Sequence, residues 1–496
     1  MGILSLLLWT PLVGGVVLAL LPVQTPWKIR LLSNSFAIIT LLWALVSLAY
    51  FETQNPLMQL TEHWVINAEL GNTYALGVDG FSLPMVLLGS LLMCIAMQAS
   101  AYISHGLKTY FASMLFLEFG MLGVFLTQDW IMFYIFWELT LIPLFFLIDR
   151  WGGARRHAAS LNFVLYTIGG SLFMMASLFA LGEFVPHMGG SLMTTFAEAA
   201  KMMPPEEQLL VLIGFLIGFG VKLPIFPIHG WLPLVHVEAP FPVSVLLSGI
   251  LLKMGAYGLL RVVSMLPQAV LSVQAVLVGL ALFSMLYGGL LAWRQSDLKA
   301  MVAYSSISHM GVVLLGILTF NVTGMMGAIL QMTAHGLTAG ALFLLLGWLY
   351  KRTGTLNIQD YSSLAPVIPR FAALMTIALL AAMGLPGTLN FVAELHAIIG
   401  GFERWGAWMV FFSFSILVSA AYAIRTLGLL FTGPVKPRMQ GLKDLSRSEF
   451  LMGSVLMLLI VVLGFMPSKL MDLSEVTIKH SVAALATATA ASAQGE

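Results

Sequence analysis

Apolar runs of roughly 20 residues follow one another along nearly the whole chain, each long enough to cross a hydrocarbon layer about 30 Å thick as a helix. Lipid offers no partner for backbone N–H and C=O groups, so only closed helices or a closed barrel can satisfy such a chain. Barrel strands alternate with period two, and stretches such as Ser454–Phe465 do not. Composition agrees: 59% of the 496 residues are hydrophobic and 9% are charged, against about a quarter charged in soluble domains. With a net charge of +1, no nucleic-acid partner is expected. The single cysteine, Cys94, lies inside an apolar run and excludes disulfides and cysteine metal sites. Residues 3–21 could imitate a signal peptide, but Lys28 and Arg30 follow the run rather than precede it, so it reads as a retained first helix.

The expected fold is an all-α integral membrane protein of about 14 helices. The spans are 3–21, 30–50, 80–100, 110–127, 130–148, 159–182, 208–222, 240–262, 271–292, 300–318, 323–349, 370–402, 407–431 and 450–467. Helix seven runs into Lys222-Leu223-Pro224-Ile225-Phe226-Pro227, where two prolines end regular pairing. Helix twelve is interrupted at Gly384-Leu385-Pro386-Gly387. These breaks lie five helices apart, an odd offset. Helices 4–8 and 9–13 therefore run in opposite senses, as inverted repeats do in transporters with unwound helices at the transport site. Four regions follow: 1–105 (helices 1–3), 106–265 (first repeat), 266–435 (second repeat) and 436–496 (last helix and tail).

Of the 23 Lys and Arg, 15 fall in odd-numbered loops, Lys299 among them; five, including Arg261, fall in even loops or the C-terminus. Positive loops face the cytoplasm, which puts both termini on the opposite, lumenal or periplasmic side. The Ala/Thr-rich tail, Ala483–Gln494, reads as a frayed end. Met and Phe enrichment reads as core and lipid-facing filling.

Ionisable residues in mid-helix cost several kcal/mol each and need a reason to be there. In chain order they are Glu118, Glu138, Lys222, Lys253, His309, His335 and Glu394. Desolvation disfavours the charged lysine and a nearby carboxylate restores it, so such a pair trades a proton as distance or water content changes. Histidines, titrating near pH 6.5 when unperturbed, suit relay positions. Single residues have blander readings: a Glu–Lys pair as a structural ion pair, His335 bonding a carbonyl across a helix interface, Glu118 snorkelling from near a helix start. Seven such residues threaded through two inverted halves favour an ion pathway.

These residues sit in WELTLIPLFFLI, VKLPIFPIHGWLP, SGILLKMGAYGLLR, AYSSISHMG, AHGLTAGALFLL and GLPGTLNFVAE. Together, over roughly residues 75–435, they resemble the antiporter-like subunits of complex I and of Mrp cation/proton antiporters. The chain looks like the M type (chain 4 type) of NAD(P)H:quinone oxidoreductase. LGVDGFSLPMVLL resembles that type, Glu394 stands where L and N types have lysine, and no long lateral helix follows helix fourteen. The resemblance leans to cyanobacterial members and extends to CO2-uptake variants.

It implies a translocase subunit holding no redox centre or cofactor itself. NAD(P)H or ferredoxin, Fe–S clusters and quinone would belong to the parent complex, and L-type and N-type subunits and the bilayer would be neighbours. The location would be a thylakoid or bacterial inner membrane. It makes Glu138 and Lys222 a charge-modulated pair, Lys253 and His309 central relay sites, His335 a further link and Glu394 the exit group, with Glu118 supporting. One departure stands out. The family usually reads LPDAH after the first break, and here Leu234 replaces the acid in Leu232-Pro233-Leu234-Val235-His236; Glu238 or His229 are the candidate substitutes. Two other functions share these residues: Na+/H+ exchange of the Mrp type, and a membrane scaffold for a CO2-hydrating partner.

Overall fold

The structure is a computed structural model that describes residues 2–22, 25–67, 72–185 and 190–493. Among them, 12 helices are long and apolar enough to cross a membrane. The expected count of about 14 is not reached on that measure, for identifiable reasons. Pro205–Lys222 carries Glu206, Glu207 and Lys222, Pro369–Ala382 is only 14 residues long, and Leu389–Phe431 runs through as one segment. The helix expected at 130–148 is two, Trp130–Leu139 and Leu141–Trp151, meeting at Thr140. The helix expected at 370–402 is also two, Pro369–Ala382 and Leu389–Trp405. The break after Lys222 resumes as a short helix, Trp231–Glu238.

Three helices precede the first half: Ile3–Leu20, Pro26–Ala49 and Leu83–Ala99. Between the second and third lies a β-hairpin, Gln59–Asn67 against Asn72–Val78, with Trp64 opposite Tyr74 and their rings stacked at 5.3 Å. The hairpin starts the first helix. Glu62 accepts hydrogen bonds from the amides of Gly2 and Ser5, both 3.0 Å, supplying the acceptors that helix N-termini lack. Burial raises the Tyr74 phenol above its ordinary range, so it stays neutral while bonding Ser5 and Trp9.

The two halves share one locking device. In the first, Asp129 caps helix Trp130–Leu139 by accepting from the amides of Ile131 and Met132, while Trp130 and Met193 bond across to Ser191 and Gln128. In the second, Asp297 caps helix Leu298–Leu318 through the amides of Lys299 and Ala300, while Leu298 and Ile358 bond across to Leu356 and Ser296. Each half also carries a glycine seam that lets two helices touch backbone to backbone. A methyl on Gly214 would lie 2.7 Å from the Phe173 carbonyl, and methyls on Gly327 and Gly400 would run into the backbones of Ala397 and Gly324.

The centre of the molecule is formed by Phe241–Met265, Leu298–Leu318 and Val322–Thr353, the most thoroughly buried spans. The outer helices are more exposed and present Leu31, Leu165, Phe179 and Leu458 to the surroundings. The tail departs from expectation. Residues 483–493 continue the helix Ser468–Ala493 rather than fray; Gln494 lies outside the described residues. That helix buries Leu470, Ser474, Ile478 and Leu485, and the Thr477 and Ser474 hydroxyls bond the Gly80 amide and carbonyl.

Candidate functional site: a buried line of titratable groups

Lys253 follows a wide π-turn at Leu247–Leu251, which interrupts the ordinary helical ladder. Its ammonium turns back to donate to the Ser248 carbonyl at 2.5 Å and meets His335 Nδ1 at 2.7 Å. The Ser248 hydroxyl bonds Ser306 of helix Leu298–Leu318 at 3.0 Å, tying the two halves together at this point. The His335 ring lies 5.4 Å, centroid to centroid, from that of His309. His309 Nδ1 is 3.5 Å from Glu394 Oε1, and its Nε2 is 3.4 Å from the Tyr422 hydroxyl. All four of Lys253, His335, His309 and Glu394 are buried. The structure thus places His335 between Lys253 and His309, where the sequence left it as an unplaced link.

The second break brings backbone to this line. Gly384 has φ +74°, in the region that favours glycine, and a methyl there would lie 2.6 Å from Glu394 Oε2. The carboxylate therefore packs directly on the unwound turn.

The first half is built differently. Lys222 is buried, donates to Thr140 Oγ1 at 3.0 Å, and sits 4.0 Å above the Trp137 ring. Glu138 is outside ion-pair reach of Lys222: no pair within 4.0 Å joins them, and its Oε1 has no hydrogen-bond partner. Glu138 instead borders an apolar groove of about 560 Å³ lined by Tyr134, Ile142, Phe145 and Ile168. The two groups of the expected pair make no direct contact: a neutral hydroxyl and an aromatic face hold the Lys222 ammonium, and the Glu138 charge acts on it through space.

Glu118 does not snorkel. It is the twelfth of the 20 residues of Leu107–Leu126, wholly buried, and neither oxygen has a hydrogen-bond partner. Lys299 is not a loop residue: it lies in the first turn of Leu298–Leu318, 2% exposed, and donates to the Val237 and Ala239 carbonyls. Arg261 sits within helix Leu252–Met265 and pairs with Asp79 at 2.7 Å. Beside Leu234, Glu238 is engaged by Arg155, accepting its amide at 2.9 Å. His229 packs against Phe226 and Tyr287. His236, stacked on Phe343 at 4.7 Å, has no hydrogen-bond partner on either ring nitrogen.

Sequence reasoning missed Thr140, Gln331, Asn390 and Tyr422. Gln331 Nε2 lies 3.1 Å from His309 Nδ1, and Asn390 Oδ1 accepts from Thr338 at 2.7 Å. Helical spacing could have found two of them, since Gln331 precedes His335, and Asn390 precedes Glu394, by one turn.

A polytopic membrane protein with two capped, seamed halves around a line of buried titratable side chains is thereby defined. The chain belongs to the NADH:quinone oxidoreductase/Mrp antiporter transmembrane family, which it matches over residues 127–419. It is 42% identical over 79% of its length to NAD(P)H-quinone oxidoreductase chain 4 1 of Picosynechococcus sp., covering 73% of that protein. It is 37% identical to chain 4 2 of Thermosynechococcus vestitus, over 96% of this chain and 90% of the relative. Among solved structures it superposes on a chain of respiratory complex I from Thermus thermophilus with a TM-score of 0.89, at 30% identity over 97% of this chain and 99% of that one. A chain of the Mrp complex from Dietzia sp. shares the fold, with a TM-score of 0.79 and 21% identity over 97% of this chain and 51% of that one.

Proposed function

We propose that this chain is the proton-translocating, chain 4-type membrane subunit of an NAD(P)H-quinone oxidoreductase complex. One observation carries the reading: Lys253, His335, His309 and Glu394 follow one another from the central turn to the second helix break. Protons pass in that order, fed from Lys222 and released beyond Glu394. Redox chemistry elsewhere in the complex changes the field around Glu138 and so the protonation of Lys222. NAD(P)H or ferredoxin, Fe–S clusters and quinone serve other subunits; L-type and N-type subunits flank this one. The relatives named above are cyanobacterial, which favours a thylakoid membrane, with both termini on the lumenal side and about 14 crossings.

The test is quinone-coupled proton uptake in vesicles holding the whole complex. Glu138→Gln and Lys222→Ala each lower it by about 100-fold or more, the scale of losing a positioned proton-transfer group. Undiminished pumping in both variants would sink the relay. Leu234 favours a second reading, a membrane scaffold for a CO2-hydrating partner with a closed proton access route. Leu234→Asp separates the two: a pump gains or changes its pH response, and a scaffold is indifferent.

A further inference from the structure

We infer that Gln331 is a positioning residue that sets whether His309 Nδ1 carries hydrogen, and so governs when His309 can pass a proton to Glu394. The inference rests on the relay reading above and deepens it at one step.

Gln331 is fully buried on helix Val322–Thr353, one turn before His335. Its amide nitrogen lies 3.1 Å from His309 Nδ1, while its own Oε1 has no hydrogen-bond partner. Glu394 Oε1 stands 3.5 Å from the same Nδ1, just beyond ordinary hydrogen-bond length. One ring nitrogen therefore faces two groups with opposite demands. An amide N–H needs Nδ1 bare, and a carboxylate needs Nδ1 to carry hydrogen. Both cannot be satisfied at once.

The amide resolves the conflict because it has two ends. With its NH2 toward His309, the neutral Nε2–H tautomer is held and Glu394 receives nothing. Turned over about its last bond, it presents Oε1, which accepts from Nδ1–H. Since Oε1 has no partner in the first state, the turn gives up no hydrogen bond on its far side. Each state keeps one bond to His309, so neither is a trap. Without the amide, Glu394 would be the sole polar partner that Gln331's place leaves to His309 Nδ1, and the ring would have no second bond to exchange into.

The step moves one proton. Imidazolium Nδ1–H breaks as Glu394 Oε1–H forms, leaving neutral His309 and a carboxylic acid; no other bond changes. The titratable groups around this point are His335, Lys253, Glu394 and Tyr422, with His236 of Trp231–Glu238 acting on His335 from the far side.

The experiment measures the initial rate of quinone-driven proton pumping by the whole complex in vesicles, from about pH 6 to 9, for Gln331→Met, Gln331→Glu and Glu394→Gln. Gln331→Met keeps the bulk but neither donates nor accepts, and is expected to pump about tenfold less than the parent, a shift of one decade in proton-transfer rate. Gln331→Glu keeps the shape and, when protonated, both a donor and an acceptor. It is expected to approach the parent at the acid end and fall away as pH rises. A residue that only fills space would tolerate Met and show no such slope. Gln331→Met within about twofold of the parent, with Glu394→Gln inactive, overturns the role of Gln331 and leaves the relay standing. Normal pumping by Glu394→Gln overturns the relay itself.

Discussion

The two halves carry the same scaffold and different chemistry. Asp129 and Asp297 cap equivalent helices and sit in equivalent backbone ladders. Around them, the first half keeps its two groups out of contact: Lys222 rests on a hydroxyl and an indole, and Glu138 opens onto an apolar groove. The second half joins its groups into a line reaching the unwound turn at Gly384. The two halves thus share the geometry that places side chains, while the side chains themselves differ: a lysine set apart in one, a wire of adjoining groups in the other.

The largest expected effect comes from cutting the wire where the halves meet. Lys253→Met removes the donor to His335 and is expected to lower pumping by about 100-fold in vesicles; retention of more than half would show that the halves work separately. The caps come next. Asp129 also accepts from Thr73 and Ser191, so Asp129→Ala strands several buried donors and is expected to cost about 3 kcal/mol. Asp297 accepts from its two helix amides, and Asp297→Ala is expected to cost about 1 kcal/mol, an ordinary cap. Thermal unfolding of the purified complex at one scan rate compares them, and equal losses would erase the distinction.

Thr140→Val leaves Lys222 on the Trp137 face alone. Pumping is expected to drop by about three- to tenfold, the worth of one ordinary hydrogen bond, with no drop if Thr140 only fills space. The smallest effect is expected at the rim. Glu198, bonded to Lys201 at 2.6 Å with both side chains largely exposed, changes stability by less than about 1 kcal/mol as Glu198→Gln, since exposed ion pairs gain little over water.

Much of the fold was legible because lipid enforces it. The apolar runs fall within a few residues of the helices, and the proline-marked breaks are where the helices stop. The mid-helix charges were legible for the same reason. What escaped depends on contacts between distant segments. The hairpin Gln59–Val78 is read by its pairing with the first helix through Glu62, 57 residues from Ser5. The order Lys253–His335–His309 is set by three helices crossing, which chain order does not reveal. Thr140 looked like an ordinary helix residue until Lys222, 82 positions on, reached it. The final helix was misread from its Ala/Thr content; Leu470, Ser474 and Ile478, four residues apart, already marked its buried face.

The glycine seams have a mechanical corollary. Where helices are welded backbone to backbone, within the halves at Gly214 against Phe173 and Gly327 against Ala397, and between them at Gly336 against the Gly249 carbonyl, there is little slack for one to slide past the other. What can still move without displacing a helix is protons and the rotations of amides and rings, all of almost no net volume. A machine of this kind transmits force as voltage rather than displacement. Its turnover should barely respond to hydrostatic pressure, whereas a rocking transporter, which opens and closes voids, should slow measurably.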